Sequence, residues 1–560
     1  MSILSLEFIG FTIATVIIYY IIPLRFRWWV LLAASCAFYA LAGWQGCVWL
    51  VLVGLLTFLM SLLQEKLAGR EKEISGIEER IRQAQKNDLS GNGEETITDA
   101  SCGNESPDEL EKIWEIPDGE EIPRLPEKGW FSSASRVKKL RKLVLAVTII
   151  LPFAAMAFVK YYDAVRELIT ALPALALLLP LGLSYFTFQS VGYAVDIYRQ
   201  KYPAQKNPFK YLLFISFFPQ MTQGPISPYP QLMPQLEEGH RFNPDNFVMG
   251  AQLALWGFFK KMVIADRLAD ITQAINVKQK GWFILLTVII YAIRLYADFS
   301  GGMDVIRGAA KMMGIDMVEN FRRPFFSHSV AEYWRRWHIS LGVWFRNYLF
   351  YPITTSGFGL ALSKLGRKLF GKKAGRNLPA TVSTIIIFFL IGIWHTANGN
   401  ALIFGLYFGL IMGIELLLEP WFKKLKKKFH INEKNIFWKI YTMIRTWILI
   451  IIPQYFAFTK DPATGLALLG NTFKNWDFTK AGAQFTAVTK SLTWYIAGIA
   501  FLIMLIVDII CEIKPDLNER LAKGYFFIRW PILILLIVAI LVYGCYGTGY
   551  DPTAFLYTHF

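Results

Sequence analysis

Residues 383–409 read STIIIFFLIGIWHTANGNALIFGLYFG. The chain is almost wholly apolar on both sides of the short polar joint, through Val382–Trp394 and Leu402–Leu418. A helix needs about 20 such residues to cross roughly 30 Å of hydrocarbon. Working outward, the same pattern returns at Leu4–Ile22, Leu31–Leu62, Leu143–Val159, Ala171–Phe188, Phe247–Ile264 and Trp282–Leu295. It closes with Ile440–Phe456, Trp494–Ile510 and Ile532–Cys545. Some runs are short or contain Pro and Gly, which is tolerated where neighbouring protein satisfies the backbone. The pattern predicts an all-α polytopic membrane protein with about 11–13 membrane-embedded helices.

Composition points the same way. Of 560 residues, 54% are hydrophobic and 18% charged, against about 25% charged in soluble domains. The net charge of +16 is concentrated beside apolar runs, at Arg25 and Arg27, at Arg136–Lys142, and at Lys423–Lys428. That placement suits anionic lipid headgroups and the positive-inside bias, and argues against nucleic acid as a partner. It predicts a chain with the 23–29, 64–141, 419–438 and 511–529 segments inside and both termini outside. The opening MSILSLEFIG lacks the basic region of a cleaved signal, so the first apolar segment is expected to be retained. The five cysteines are scattered and make no CxxC pair, which supports neither a metal site nor a full disulfide framework.

Residues 64–141 break the pattern. Their first part can form a short charged helix, whereas Asn87–Glu121 carries too few apolar residues to fold alone and is expected to be flexible. The segment reads either as a tolerated insertion or as a docking element, and the rest as one membrane domain spanning 1–560. Two further stretches are neither span nor loop. Ala331–Ile353, AEYWRRWHISLGVWFRNYLFYPI, interleaves aromatic and cationic residues, as an interfacial or re-entrant helix does. In Phe217–Leu232 the prolines Pro219, Pro225, Pro228 and Pro230 exclude a regular helix.

Six histidines are present, and His395 is the most unusually placed, because an ionisable group between apolar stretches is a functional candidate by default. A neutral imidazole can take a hydroxyl proton. His395 would thus deprotonate an acceptor alcohol as it attacks a thioester, with His338 or nearby polar groups orienting it. The alternative for both is a helix-packing histidine with a satisfied hydrogen bond. There is no GxSxG, no HExxH and no P-loop lysine, and no spacing suggests a metal. Tyr296, Asp298, Ser300 and Asp304 form a second polar group. It reads as a buried ion network with Arg294, Arg322, Arg323, Arg335 or Arg336, or as the lining of a site for a phosphate-bearing donor.

Five blocks carry a family resemblance: Pro180–Arg199, Phe217–Ile226, Tyr296–Ile315, Glu319–Ile353 and Ile391–Gly409. Together they resemble the membrane-bound O-acyltransferase superfamily, in the bacterial branch of alginate O-acetyltransferase membrane subunits and teichoic-acid D-alanyl transfer proteins. The resemblance implies a ring of tilted transmembrane and re-entrant helices around a thin centre, with a tunnel joining the two faces. His395 matches the catalytic histidine of the family's WH motif, and His338 the second characteristic histidine. Trp394, Thr396 (where glycine is frequent) and Asn398 would flank the base, while Tyr296, Asp298, Ser300, Arg335, Arg336 and Asn347 would support the site or line the tunnel.

The implied activity is transfer of an acyl group, acetyl by preference, from a cytoplasmic thioester toward an envelope polysaccharide. Acetyl-CoA or another acyl thioester would be the donor substrate, with no tightly bound cofactor and no metal. An exported or membrane-anchored acyltransferase would be a partner, and the location the bacterial cytoplasmic membrane. The alternatives are D-alanyl transfer from an acyl carrier protein, and a transporter or channel.

Overall fold

The computed structural model describes residues 5–91, 129–169, 173, 175, 180–273, 279–395, 398–479 and 481–546. Regular structure among them is helical, apart from one isolated antiparallel bridge between Phe321 and Trp337. Ten of the described helices are long and apolar enough to cross a membrane, and Leu6–Ile21 is a shorter apolar one. A polytopic, all-α membrane protein follows directly.

The apolar run Leu31–Leu62 is not one element. It breaks at Gly43, whose φ of +138° is a backbone setting that L side chains rarely adopt. Arg27–Ala42 ends there and Trp44–Gly91 begins. The second helix has 48 residues, about 72 Å at 1.5 Å per residue, more than twice the hydrocarbon thickness. Its far half therefore leaves the apolar layer and packs on the start of Ala134–Leu168. Leu67 and Ile74 meet Val137 and Val144 there, and Arg141 pairs with Glu71 at 2.5 Å. The first part of the polar segment is thus helical as expected, and longer than expected. Residues 92–128, which hold most of the stretch read as flexible, lie outside the described residues.

The run Ala171–Phe188 is also divided. Most of 171–179 lies outside the described residues, and the helix starts later, at Leu183–Tyr198. Gly182 enters it at φ +69°, where a Cβ would press on the Met221 carbonyl at 2.5 Å. That contact joins this turn to the proline-rich stretch, which is a short 3₁₀ turn over Phe218–Met221 and then irregular up to the helix Tyr229–Glu238. Pro230 sits in the first turn of that helix, where a missing N–H costs nothing.

The centre of the molecule is Trp282–Met312, the most enclosed of the spanning helices. Pro244–Phe258 crosses it at two glycine pairs. A Cβ on Gly257 would meet the Gly301 carbonyl, and one on Gly250 the Gly308 carbonyl, at 2.5 and 2.6 Å. Small residues at both crossings let the backbones touch, which is how helices gain dispersion contact where lipid removes the hydrophobic drive. The Ala331–Ile353 stretch folds as a short helix, Val330–Arg336, followed by a continuous helical run from Ile339 to Thr355 that carries a π turn over Arg346–Phe350.

Candidate active site

Leu378–His395 and Gly399–Lys428 form a tight hairpin. Gly392 and Gly405 face each other so closely that a Cβ on either would collide with the opposing backbone. Asn398 caps the second helix by accepting from the Ala401 N–H at 2.9 Å, and the Asn400 amide donates to the Thr459 carbonyl at 2.6 Å. Trp394 and His395 therefore stand at the tip of the hairpin. Trp394 is buried and His395 only partly so. Thr396 lies outside the described residues.

Ala134–Leu168 grips this tip from the side. The Tyr161 hydroxyl donates to the Ile393 carbonyl at 2.6 Å, and the Lys160 ammonium donates to the Trp394 carbonyl. That ammonium also lies 5.2 Å from the centre of the Trp394 ring, within cation–π range. A cation at the last carbonyls of a helix complements its dipole. Lys160 and His338 both lie within electrostatic reach of His395. The sequence reading missed Lys160. Its signal was a single lysine directly after the apolar run Leu143–Val159, the intramembrane charge that deserves a functional question.

His338 is held quite differently. It adopts φ +46° and ψ +53°, left-handed backbone that is uncommon for a residue with a side chain. Such strain persists only where the surroundings impose it. The antiparallel bridge supplies one constraint, with the Arg322 N–H donating to the Arg336 carbonyl at 2.9 Å and the Ile339 N–H to the Asn320 carbonyl at 3.0 Å. The fully buried Asn320 supplies another. Its Oδ1 accepts from the Ser340 hydroxyl at 2.9 Å and the Ser340 N–H at 3.0 Å, and lies 3.2 Å from His338 Nδ1. An amide oxygen only accepts, so Nδ1 carries the proton in this bond and Nε2 is the unprotonated nitrogen of the neutral ring. Phe299 packs edge-on against the imidazole with centroids 5.0 Å apart. Asn320 was also missed, although it sits inside the Glu319–Ile353 block.

Aromatic rings link the two regions. His395 and Phe404 are 6.4 Å apart, Phe404 and Trp334 6.2 Å, and Trp334 belongs to the helix leading into His338. Tyr296 packs on Trp337 at 6.3 Å, and its hydroxyl donates to Asp508 at 3.0 Å.

The ion network exists, and lysines supply its closest cations while Arg294, one of the arginines expected, acts on Asp298 through its charge. Lys261 pairs with Asp298 and with Asp266, both at 2.6 Å, and Asp304 with Lys260 at 2.7 Å, while the Lys260 ammonium also donates to Ser300 at 2.9 Å. Both consecutive lysines lie in a π-helical turn, Phe259–Ala265, that is buried along its whole length. Arg323 and Arg336 instead share Glu512, at 2.7 and 2.9 Å. Arg335 is exposed. Asn347 lines a cavity of about 330 Å³ with Arg199, Lys201, Tyr351, Pro352 and Thr355. The structure thus gathers His395, Trp394, Asn398 and His338 toward one region. Tyr296, Asp298, Ser300 and Arg336 belong to the ionic scaffold beside it. No cluster of His, Cys, Asp and Glu among the described residues is arranged to hold a metal ion.

Residues 142–458, more than half of the chain, match the model of the membrane-bound O-acyltransferase family, and the protein belongs to that family. Among curated proteins it is 33% identical over 293 residues to a probable alginate O-acetylase of Pseudomonas aeruginosa, covering 50% of this chain and 52% of that protein. It is 28% identical over 334 residues to a peptidoglycan O-acetyltransferase of Helicobacter pylori, covering 53% and 59%. A teichoic acid D-alanyltransferase of Bacillus subtilis is 28% identical over 253 residues, covering 44% and 61%. The chain spans about half the length of the curated relatives it matches first.

Proposed function

We propose that this protein is an O-acyltransferase that moves an acyl group, most simply acetyl, from a cytoplasmic thioester toward a polysaccharide of the cell envelope. The observation that carries the reading is the placement of His395. It ends a spanning helix of the family-matched region, is partly open, and has His338 and Lys160 in electrostatic reach. The stronger similarity to a probable alginate O-acetylase than to a D-alanyltransferase favours acetyl and a polysaccharide acceptor.

In this mechanism the His395 imidazole takes the proton of an acceptor hydroxyl as its oxygen attacks the thioester carbonyl carbon. The tetrahedral intermediate collapses with cleavage of the C–S bond. The proton passes from the imidazolium to the departing thiolate, leaving an ester and a free thiol with no net proton change. His338, locked by Asn320, orients the reactants. Lys160 is a positioning residue that fixes the helix end on which His395 sits.

The spanning helices form a ring around a tunnel in which donor and acceptor meet from opposite faces. The 1–560 chain acts as one domain interrupted by the 64–141 segment. The basic faces lie inside, both termini outside, and an exported or membrane-anchored acyltransferase accepts the acyl group from this protein.

The test is a reconstituted assay with radiolabelled acetyl-CoA and envelope polysaccharide, run beside a D-alanyl-loaded carrier protein. Acceptor-dependent ester formation from acetyl-CoA, lost in His395→Ala, is the expected result. Turnover of the D-alanyl carrier alone would reassign the donor. Solute passage without thioester cleavage by either donor would place the protein among transporters.

A further inference from the structure

A second basic feature lies at the opposite end of the hairpin from His395. Lys372, Lys373, Arg376 and Lys423 surround a cavity of about 320 Å³, completed by Asn377, Glu419 and Pro420. Lys423 pairs with Glu419 at 2.5 Å, while Lys372, Lys373 and Arg376 make no ion pair among the described residues. The cavity is built rather than incidental. Gly357–Gly375 doubles back at Gly371, which has φ +77°, and brings Gly375 against Gly366 so tightly that neither could carry a Cβ. The Asn377 amide then donates to the Leu416 carbonyl at 2.8 Å, tying the turn to Gly399–Lys428.

Its position decides what can fill it. Leu378–His395 starts two residues after Arg376, and Lys423 lies near the end of the neighbouring span. The cavity therefore opens where spanning helices leave the apolar layer. Directly beside the cations, Leu369, Phe370 and Trp421 are about half or more exposed. Water is a poor solvent for such side chains, whereas acyl chains would cover them. Cations next to exposed apolar surface at this depth match a phosphate headgroup with its hydrocarbon attached.

We propose that the Lys372, Lys373, Arg376 and Lys423 cavity binds the phosphate of an anionic phospholipid, whose acyl chains lie along Leu369, Phe370 and Trp421. This site stands apart from the acyl-transfer reading and goes beyond a general attraction of basic loops to lipid, because it names one saturable position.

Full-length protein, delipidated in neutral detergent, is titrated with fluorescent phosphatidylglycerol and, separately, phosphatidylcholine. Saturable binding of phosphatidylglycerol only is expected. The triple variant Lys372→Ser, Lys373→Ser, Arg376→Ser should lose roughly tenfold or more in affinity. Lys424→Ser, Lys427→Ser, Lys428→Ser removes the same charge outside the cavity and should change affinity less than twofold. Lys373→Gln alone, expected to lose about fivefold, keeps the test alive if the triple variant does not fold. Equal loss in both triple variants would overturn the proposal in favour of diffuse charge attraction. Displacement of the lipid by inorganic phosphate or coenzyme A at matching affinity would overturn it in favour of a soluble phosphate ligand.

Discussion

The two histidine regions are built by opposite means. His338 is buried, sits in strained left-handed backbone, and is held by a β-bridge, by Asn320 and by an edge-on ring. His395 stands at a helix end, partly open, and the groups holding that end act through the backbone: Lys160 on the Trp394 carbonyl and Tyr161 on the Ile393 carbonyl. The first arrangement fixes a ring in one orientation and gives it little room. The second fixes the platform and leaves the residue only partly covered. A residue that must receive a proton from an incoming hydroxyl needs the second, and one that sets the geometry of its surroundings is served by the first.

The contrast predicts different failures. The largest effect on folding should come from the ionic scaffold beside His338. Lys261→Met leaves Asp298 and Asp266, each 2.6 Å from that ammonium, without their shared cation, and breaking a buried pair costs about 3–5 kcal/mol. We expect a large fall in the thermal midpoint in detergent, much of it recovered by Lys261→Met combined with Asp298→Leu and Asp266→Asn. No recovery would mean that this cluster is not the unit of stability.

Asn320→Ala should follow, at about 1–3 kcal/mol, because it strips buried donors on His338 and Ser340 of their shared acceptor. Asn320→Asp keeps the acceptor oxygen and should restore part of both stability and transfer. If Asn320→Ala melts like wild type, the account of a locked His338 fails.

Lys160→Met should be the mildest for folding and selective for chemistry. We expect kcat to fall roughly tenfold, with donor KM unchanged and Lys160→Arg recovering most of the rate. A change confined to KM would instead make Lys160 a donor-binding residue and blur the distinction between the two regions.

Much of this architecture is legible in the sequence because bilayer thickness is a strict ruler. The apolar runs on each side of His395 became the hairpin, and the mixed aromatic-cationic stretch became two helical segments that meet at His338. The break at Gly43 is harder to read, since a glycine in an apolar run is compatible with continuing the helix, as Gly46 and Gly54 do in the same run. The lysine pair at 260–261 escaped for a sharper reason. Periodicity reads one buried face of a helix, and here every residue of the turn Phe259–Ala265 is buried, both lysines included. The partners of Lys160 and Asn320 escaped in another way. Each acts on groups far along the chain, Lys160 on Trp394 and Asn320 on His338 and Ser340, and spacing says nothing about partners that only folding brings together. The histidines themselves came from their apolar setting and the family blocks, which is why the candidate base was readable and its supports were not.

The most direct test of the account is single-turnover ester formation by wild type and His395→Ala, with acetyl-CoA as donor and both proteins shown to melt alike. Loss of a positioned general base should lower the rate by about 10²–10⁴-fold, while bound donor remains unchanged. Transfer by His395→Ala at the wild-type rate would contradict the assignment of the base and, with it, the division of labour between the two histidines.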